Sequence, residues 1–266
     1  MRARLATALA ATLGSLALAA SGCSGAALPG AGGGTGRSAS GGTTVTVFAA
    51  ASMKATFSTL GRTFETSHPG TRVAFNFAGS QTLAEQLIQG APADVFASAN
   101  EAKMATVTGA GLNAAGSTLF ATNQLIIAVP TDNPARISAF VDLAKPGVKL
   151  VICAAAVPCG AATLKVETAT GVTLTPVSEE QAVSDVLAKV EAGEADAGLV
   201  YSTDVIAAGD KVRGIDFPEA AKAINSNSIV ALRAGPQAAL GQEFVDLVLS
   251  ADGQRVLAEA GFGAAG

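Results

Sequence analysis

From residue 45 onward the apolar positions follow two alternating rhythms. Val45-Thr46-Val47-Phe48-Ala49-Ala50-Ala51-Ser52-Met53 opens as a short apolar run, the mark of a buried strand. Met53, Phe57, Leu60 and Phe64 then recur at steps of four, three and four, which predicts an amphipathic helix. Ser52 thus stands where a strand's carboxyl end meets a helix N-terminus. There it can cap the helix or, with the unpaired N–H groups beside it, hold an anion. Residues 71–77 place Val73, Phe75 and Phe77 on one face of a second strand. Ala78-Gly79-Ser80 turns the chain, and residues 81–89 carry Leu83, Leu87 and Ile88 on one helical stripe. Ser80 repeats the position of Ser52.

The alternation continues to the end. Gly90-Ala91-Pro92 breaks the second helix, residues 93–98 predict a buried strand and residues 100–109 a short helix. Residues 123–130 carry Leu125-Ile126-Ile127-Ala128-Val129, a strand buried on both faces and a candidate crossing between lobes. A short helix at 138–144 stops at Pro146-Gly147, a strand follows at 148–152, and the loop 153–160 leads into a helix beginning near Ala161. A short strand is expected at 173–177, then a helix with Val183, Val186, Leu187 and Val190 on one face. The strand 196–201 ends on Tyr201. Strands at 211–217 and 228–232 and helices at 236–249 and 252–260 complete the pattern, with 228–232 as the candidate return crossing. Such alternation predicts an α/β fold with parallel sheets covered on both faces. Ligands of such sheets sit beyond the carboxyl ends of the strands. Ser52, Ser80, Cys159 and Tyr201 all fall at such ends.

Composition narrows the chemistry. The 266 residues are 49% hydrophobic with a formal net charge of −4, enough for one large domain or two small lobes. The absence of a basic excess argues against nucleic acid. There is no Trp, one Tyr and one His. A hydrolase using Ser52 or Ser80 as nucleophile would need a base. The only candidate, His68, lies in the polar turn Ser67-His68-Pro69-Gly70. A ferric site would want several tyrosines with a His or carboxylate.

Residues 1–22 read as an export leader: Arg2 and Arg4, then an Ala-rich apolar stretch from 5 to 20. Ala20-Ser21-Gly22-Cys23 resembles the lipobox of bacterial lipoproteins, although Ala20 stands where that motif prefers Leu. The resemblance implies that Cys23 is lipidated and holds the protein to the outer face of the cytoplasmic membrane by more than one acyl chain. Residues 23–42 are rich in Gly, Ala and Ser and read as a flexible tether. No second stretch of membrane-spanning length follows, so the rest is expected to be one exported globular unit.

From about residue 44 to the end the sequence resembles the periplasmic molybdate-binding proteins of ABC transporters. The segments that carry the likeness are Val47-Phe48-Ala49-Ala50-Ala51-Ser52, Phe77-Ala78-Gly79-Ser80-Gln81-Thr82-Leu83-Ala84, Gly90-Ala91-Pro92-Ala93-Asp94-Val95-Phe96, Val157-Pro158-Cys159-Gly160 and Gly198-Leu199-Val200-Tyr201-Ser202-Thr203-Asp204. The resemblance implies the two-lobed periplasmic-binding-protein fold of type II. Residues 43–122 with 226–266 would form one lobe and 123–225 the other, joined by two hinge crossings with the ligand cleft between them. It implies a binding protein and not an enzyme, a monomer with no cofactor, whose ligand is molybdate or tungstate and whose partners are an ABC permease and its cytoplasmic ATPase. Carried over by position, Ser52 and Ser80 give hydroxyl and backbone N–H contacts. Cys159 and Val183 give backbone N–H groups, and Tyr201 gives its phenol hydrogen. Members of the family commonly have a small residue such as Ala at the position of Cys159.

The chemistry is consistent with that ligand. Molybdate is a tetrahedral dianion without a proton near neutral pH, so its site needs donors and no acceptors, and hydroxyls and backbone N–H groups are such donors. Each hydrogen bond to a charged group contributes roughly 1.5–3 kcal/mol. About seven or eight of them exceed the roughly 12 kcal/mol of nanomolar binding before ordering and desolvation are subtracted. Sulfate and phosphate remain alternative ligands, and discrimination against sulfate must come from cavity size. The three cysteines are Cys23, Cys153 and Cys159. With Cys23 lipidated, Cys153 and Cys159 form an even pair in an oxidising compartment, either bridged or held as two buried thiols.

Overall fold

The computed structural model describes residues 42–265. The leader at 1–22, Cys23 and all of the 23–42 tether except Gly42 lie outside the described residues.

The first rhythm builds one sheet. Strand β1 (Thr43–Ala50) is followed by a 3-10 turn (Ala51–Met53) and helix α1 (Lys54–Ser67); then come β2 (Thr71–Ala78), α2 (Ser80–Ile88), β3 (Val95–Ser98), α3 (Glu101–Gly109) and β4 (Thr118–Asn123). β1 lies between β2 and β3, parallel to both, with Val47 in register with Phe75 on one side and Val95 on the other. Its side chains alternate between two buried faces. Val45, Val47 and Ala49 pack with Phe57, Leu60, Phe64 and Phe244, while Phe48 packs with Leu83, Phe96 and Met104 on the opposite side. From Val47 to Ala50 the strand is buried on both faces, which is why the alternation of threonine and valine in its first half gives way to a continuous apolar run.

The chain then crosses into a second sheet. β5 (Leu125–Pro130) leads to a 3-10 turn (Phe140–Ala144), β6 (Leu150–Cys153), α4 (Pro158–Thr170), β7 (Ser178–Glu180), α5 (Val183–Glu191), β8 (Ala197–Tyr201), α6 (Ser202–Ala208) and β9 (Val212–Ile215). It returns through β10 (Asn225–Ala231) and closes with α7 (Ala238–Leu249), α8 (Ala251–Glu259) and the short β11 (Gly263–Ala264). The strand orders are β11-β4-β10-β3-β1-β2 and β7-β6-β8-β5-β9. Each sheet has its own core, the second built around Ile127, Phe140, Leu150, Leu199 and Tyr201.

The expectation of wholly parallel sheets does not hold. β10 is antiparallel to β3 and β4, and β5 is antiparallel to β8 and β9. The crossings require it. The parallel strands of each sheet run toward the cleft and end there. A strand that has just crossed begins at the cleft and must run away from it. β4 was missed as a strand because Thr118-Leu119-Phe120-Ala121-Thr122-Asn123 has a weak apolar pattern.

Three boundaries also differ from expectation. The strand expected at 173–177 is irregular, and the polar β7 takes its place three to five residues later. Pro176 has no N–H to give a ladder, and Val177 is 62% exposed; pairing begins when Val177 N–H donates to Leu150 C=O. The helix expected near Ala161 begins at Pro158, whose ring pre-sets the first helical position, so Cys159 lies inside the first turn. The segment 138–144 forms only the 3-10 turn.

Cys153, the last residue of β6, is disulfide-bonded to Cys159, with Cα atoms 5.7 Å apart. The bond ties a strand end to the first turn of the helix that follows.

Candidate anion-binding site

The carboxyl ends of β1, β2, β6 and β8 converge on one small cavity. It is lined by Ala50, Ala51, Ser52, Ala78, Gly79, Ser80, Ala99, Val157, Pro158, Cys159, Val183 and Tyr201. All five residues named from the sequence therefore meet in one place, two from the first sheet's side and three from the second's. The space open to the centre of a water-sized sphere is about 10 Å³, the scale of one compact guest and not of a sugar or peptide. Among the described residues no charged side chain lines it.

Local sequence explains why this cavity is rich in N–H groups. A helix leaves its first N–H groups without partners, and most helices close them with a polar side chain. α3 does so through Asn100, which accepts from Lys103 N–H at 3.0 Å, and α8 through Ser250, which accepts from Gly253 N–H at 3.1 Å. At α7, Asp94 accepts from Gln237 N–H at 2.6 Å. The three helices that start at the cavity have no such cap. α2, α4 and α5 are preceded by Gly79, Val157 and Ala182, and none makes a side-chain cap bond. Ser80 and Val183 are first residues of their helices and Cys159 is a second residue, so their N–H groups are among those left open. Three uncapped N-termini pointing into one cavity favour negative charge there.

The hydroxyls add to this. Ser52 makes no cap bond to the turn it belongs to, and its Oγ is buried without a partner. A buried hydroxyl is normally paired, so this orphan marks the place where a ligand atom is expected. Ser80 Oγ accepts from Ala99 N–H at 3.1 Å. Tyr201, the last residue of β8, is 1% exposed, and its Oη accepts from Asn225 Nδ2 at 2.9 Å. Burial, and then the charge of Asp204, push the Tyr201 pKa well above its ordinary value, so the phenol keeps its proton as a donor. Asp204 is itself buried, which raises its pKa to about 7; its carboxylate accepts from Tyr201 N–H at 2.9 Å and fixes the end of the strand. Neither Asn225 nor Asp204 was singled out from the sequence. The only available signal was that Asp204 belongs to the quoted Val-Tyr segment.

The two halves are held shut by direct contacts. Gln81 Nε2 donates to Gln181 C=O at 2.9 Å, and Asn123 Nδ2 donates to Thr203 Oγ1 at 2.8 Å beside the first crossing. Gly79 lies so close to Gln181 C=O that a Cβ would collide with it.

The hydrolase alternative has no base at this site. His68 follows the far end of α1, about 20 Å from Ser52 along a helix of 14 residues. Its Nε2 is 2.7 Å from Glu243 Oε2, and its ring stacks on Phe64. Its raised pKa comes from the Phe64 carbonyl first and Glu243 second. Among the described residues no group of three His, Cys, Asp or Glu could hold a metal ion, and no helix is long and apolar enough to cross a membrane.

Residues 45–263 match the family described as "Bacterial extracellular solute-binding protein". The chain belongs to that family. It is 49% identical over 218 residues to the molybdate-binding protein ModA of Mycobacterium tuberculosis, which covers 82% of this chain and 84% of the relative. Among solved structures it resembles the Azotobacter vinelandii periplasmic molybdate-binding protein, with a TM-score of 0.71 at 20% identity over 84% of this chain and all of that one. The M. tuberculosis sulfate-binding protein SubI gives a TM-score of 0.70 at 20% identity over 83% of this chain and 86% of that one. These two likenesses bear on the fold alone: two α/β lobes of the type II binding-protein arrangement, joined by two crossings with a cleft between them. The family places the protein outside the cytoplasm.

The disulfide stands at the edge of this cavity. Replacing Cys153 and Cys159 together by serine is expected to cost about 2 kcal/mol of stability, the chain-entropy value for so short a loop. It should also loosen the turn that presents the Cys159 N–H. Urea unfolding and ligand titration of the double variant measure the two effects. Unchanged values in both would leave the bridge without a role.

Proposed function

We propose that this protein captures molybdate, and tungstate of nearly the same size, and delivers it to an ABC importer without transforming it. The observation that carries the reading is the cavity itself: three helix N-termini with no side-chain cap, an unpartnered Ser52 hydroxyl and the Tyr201 phenol converge on a space without charged side chains. The close similarity to the M. tuberculosis relative supports molybdate over other oxyanions. In this reading Ser52 and Ser80 donate hydroxyl and backbone hydrogens, Cys159 and Val183 donate backbone N–H groups, and Tyr201 donates its phenol hydrogen. Phosphate keeps a proton near neutral pH and would need an acceptor for it. Sulfate has the same charge and shape as molybdate and is separated by size.

The lobes are residues 43–122 with 226–266 and residues 123–225, hinged at the two crossings. Neutral donors suit a carrier, because the anion leaves without breaking an ion pair when the lobes open. The partners are a permease and its ATPase. Cys23 carries the lipid that keeps this monomer at the membrane, with no cofactor.

A thermal-shift series tests the ligand. Anything that binds the folded state alone stabilises it by mass action, about 4 kcal/mol at a thousand times Kd. Molybdate and tungstate are expected to raise Tm by several degrees, and sulfate and phosphate at equal concentration to do little. An equal shift with sulfate would move the protein to general oxyanion binding.

A further inference from the structure

The two best-buried hydroxyls at the cavity are each held by a protein hydrogen bond, one from Ala99 and one from Asn225. Ser80 Oγ accepts from Ala99 N–H at 3.1 Å, and the carbonyl of the same Ala99 accepts from Asn225 Nδ2 at 2.9 Å. Asn225 Nδ2 also donates to Tyr201 Oη at 2.9 Å. Asn225 is the first residue of β10, where the chain has just returned to the first sheet, and it is 6% exposed. Its amide therefore ties the residue after β3 in one sheet to the last residue of β8 in the other.

The orientation of that amide follows from its neighbours. Turned over, it would set its own oxygen against the Ala99 carbonyl, acceptor facing acceptor. Held as it is, the nitrogen has two protons and two fixed acceptors. One of them is the phenol oxygen, which then has a proton of its own and no protein acceptor for it among the described residues. Tyr201 lines the cavity, so that proton is left for whatever occupies it. Ser80 follows the same logic: its oxygen is engaged by Ala99 N–H, and its proton remains to be given.

We propose that Asn225 is a positioning residue that sets the polarity of Tyr201. By donating to the phenol oxygen it makes the hydroxyl a donor toward the cavity. The inference rests on the oxyanion reading of the cavity and sharpens it. A site polarised in this way takes a tetrahedral oxyanion with no proton left and rejects one that must donate a hydrogen at this position.

A double-mutant cycle separates this role from mere packing. Asn225→Ala is expected to weaken molybdate binding about tenfold in the parent, inside the coupling range of residues in contact. In the Tyr201→Phe background, where no hydroxyl is left to orient, the same change should cost less than about threefold. Equal losses in both backgrounds would overturn the proposal. A second measurement needs no ligand. Tyr201 is the only tyrosine and there is no Trp, so the tyrosine Raman doublet reports this one phenol. In the ligand-free parent it should show an oxygen accepting a hydrogen bond, and that signature should weaken in Asn225→Ala. In the isosteric Asn225→Asp it should turn to that of a phenol donating to a carboxylate. A doublet indifferent to both substitutions would overturn the proposal. Failure of the parent to bind molybdate would instead count against the ligand and leave the Raman result to decide the role of Asn225.

Discussion

Replacing Gly79 by alanine is expected to remove tight molybdate binding while leaving each lobe folded. Gly79 has φ −60° and ψ 139°, an extended conformation that alanine adopts without strain. Its substitution therefore costs little within its own lobe. The obstacle lies across the cleft. An added Cβ would lie well inside van der Waals contact with Gln181 C=O and 2.6 Å from Gln81 Nε2. A long side chain could swing away, but Gln181 offers backbone, and it precedes Val183 by two residues at the start of α5. The conflict is relieved by separating the lobes at this point by about 1 Å. That breaks the Gln81–Gln181 bond and draws the Val183 N–H away from the anion. The charge-assisted Val183 bond is worth about 1.5–3 kcal/mol and the neutral Gln81–Gln181 bond about 1 kcal/mol, so their joint loss is roughly 10²- to 10³-fold in Kd. Calorimetric titration measures the affinity, and small-angle scattering should show the ligand-soaked variant more open than the parent. Parent-like affinity would mean that the closed arrangement seen here is not the one that holds the ligand.

The parts of the fold that could be read from sequence are those where one physical rule dominates. β1 and α1 announce themselves because a doubly buried stretch of strand must be apolar and a half-buried helix must repeat near 3.6. The crossings were harder. Leu125 to Val129 reads as a buried strand, yet its direction depends on which sheet the chain has just left, and no local pattern encodes that. β7 is three polar residues at an edge, held by backbone bonds to β6 and not by burial of its side chains. The five residues around the cavity were reached through resemblance and through their place at strand ends. Their convergence is visible only in three dimensions. Gly79 and Gln81 act across the cleft on Gln181, about a hundred residues away along the chain, and Asn225 acts on Tyr201, 24 residues away and in the other sheet. An isolated Asn at a strand start gives no hint of that. The missing caps become legible only once the helix starts are fixed at Ser80, Pro158 and Val183. The N-cap positions of α2, α4 and α5 hold Gly79, Val157 and Ala182, where a helix without a ligand would favour Ser, Asp or Asn.

Tyr201→Phe is expected to weaken molybdate binding by about ten- to over a hundredfold. The ring is almost wholly buried, and phenylalanine keeps its packing, so the folded protein should survive with a modest loss of stability. The lost hydroxyl has two partners in this arrangement: Asn225, from which it accepts, and the anion, to which it donates. Losing the first leaves one Asn225 N–H without its acceptor and bears on stability. The second is a bond to a charged group, roughly 1.5–3 kcal/mol, and it bears on affinity alone. The separation is measurable, because a purely structural tyrosine would move Tm and leave Kd where it was. Ser52→Ala and Ser80→Ala should give affinity losses of the same order, softened where water takes the vacant place. For Tyr201 the loss should appear chiefly as faster dissociation. Its donor belongs to the second lobe, which closes on an anion already met by Ser52 and Ser80. Titration and stopped-flow displacement of the Phe variant beside the parent decide the matter. Unchanged affinity in a folded variant would remove Tyr201 from the site, and with it the hydroxyl that the Asn225 amide orients.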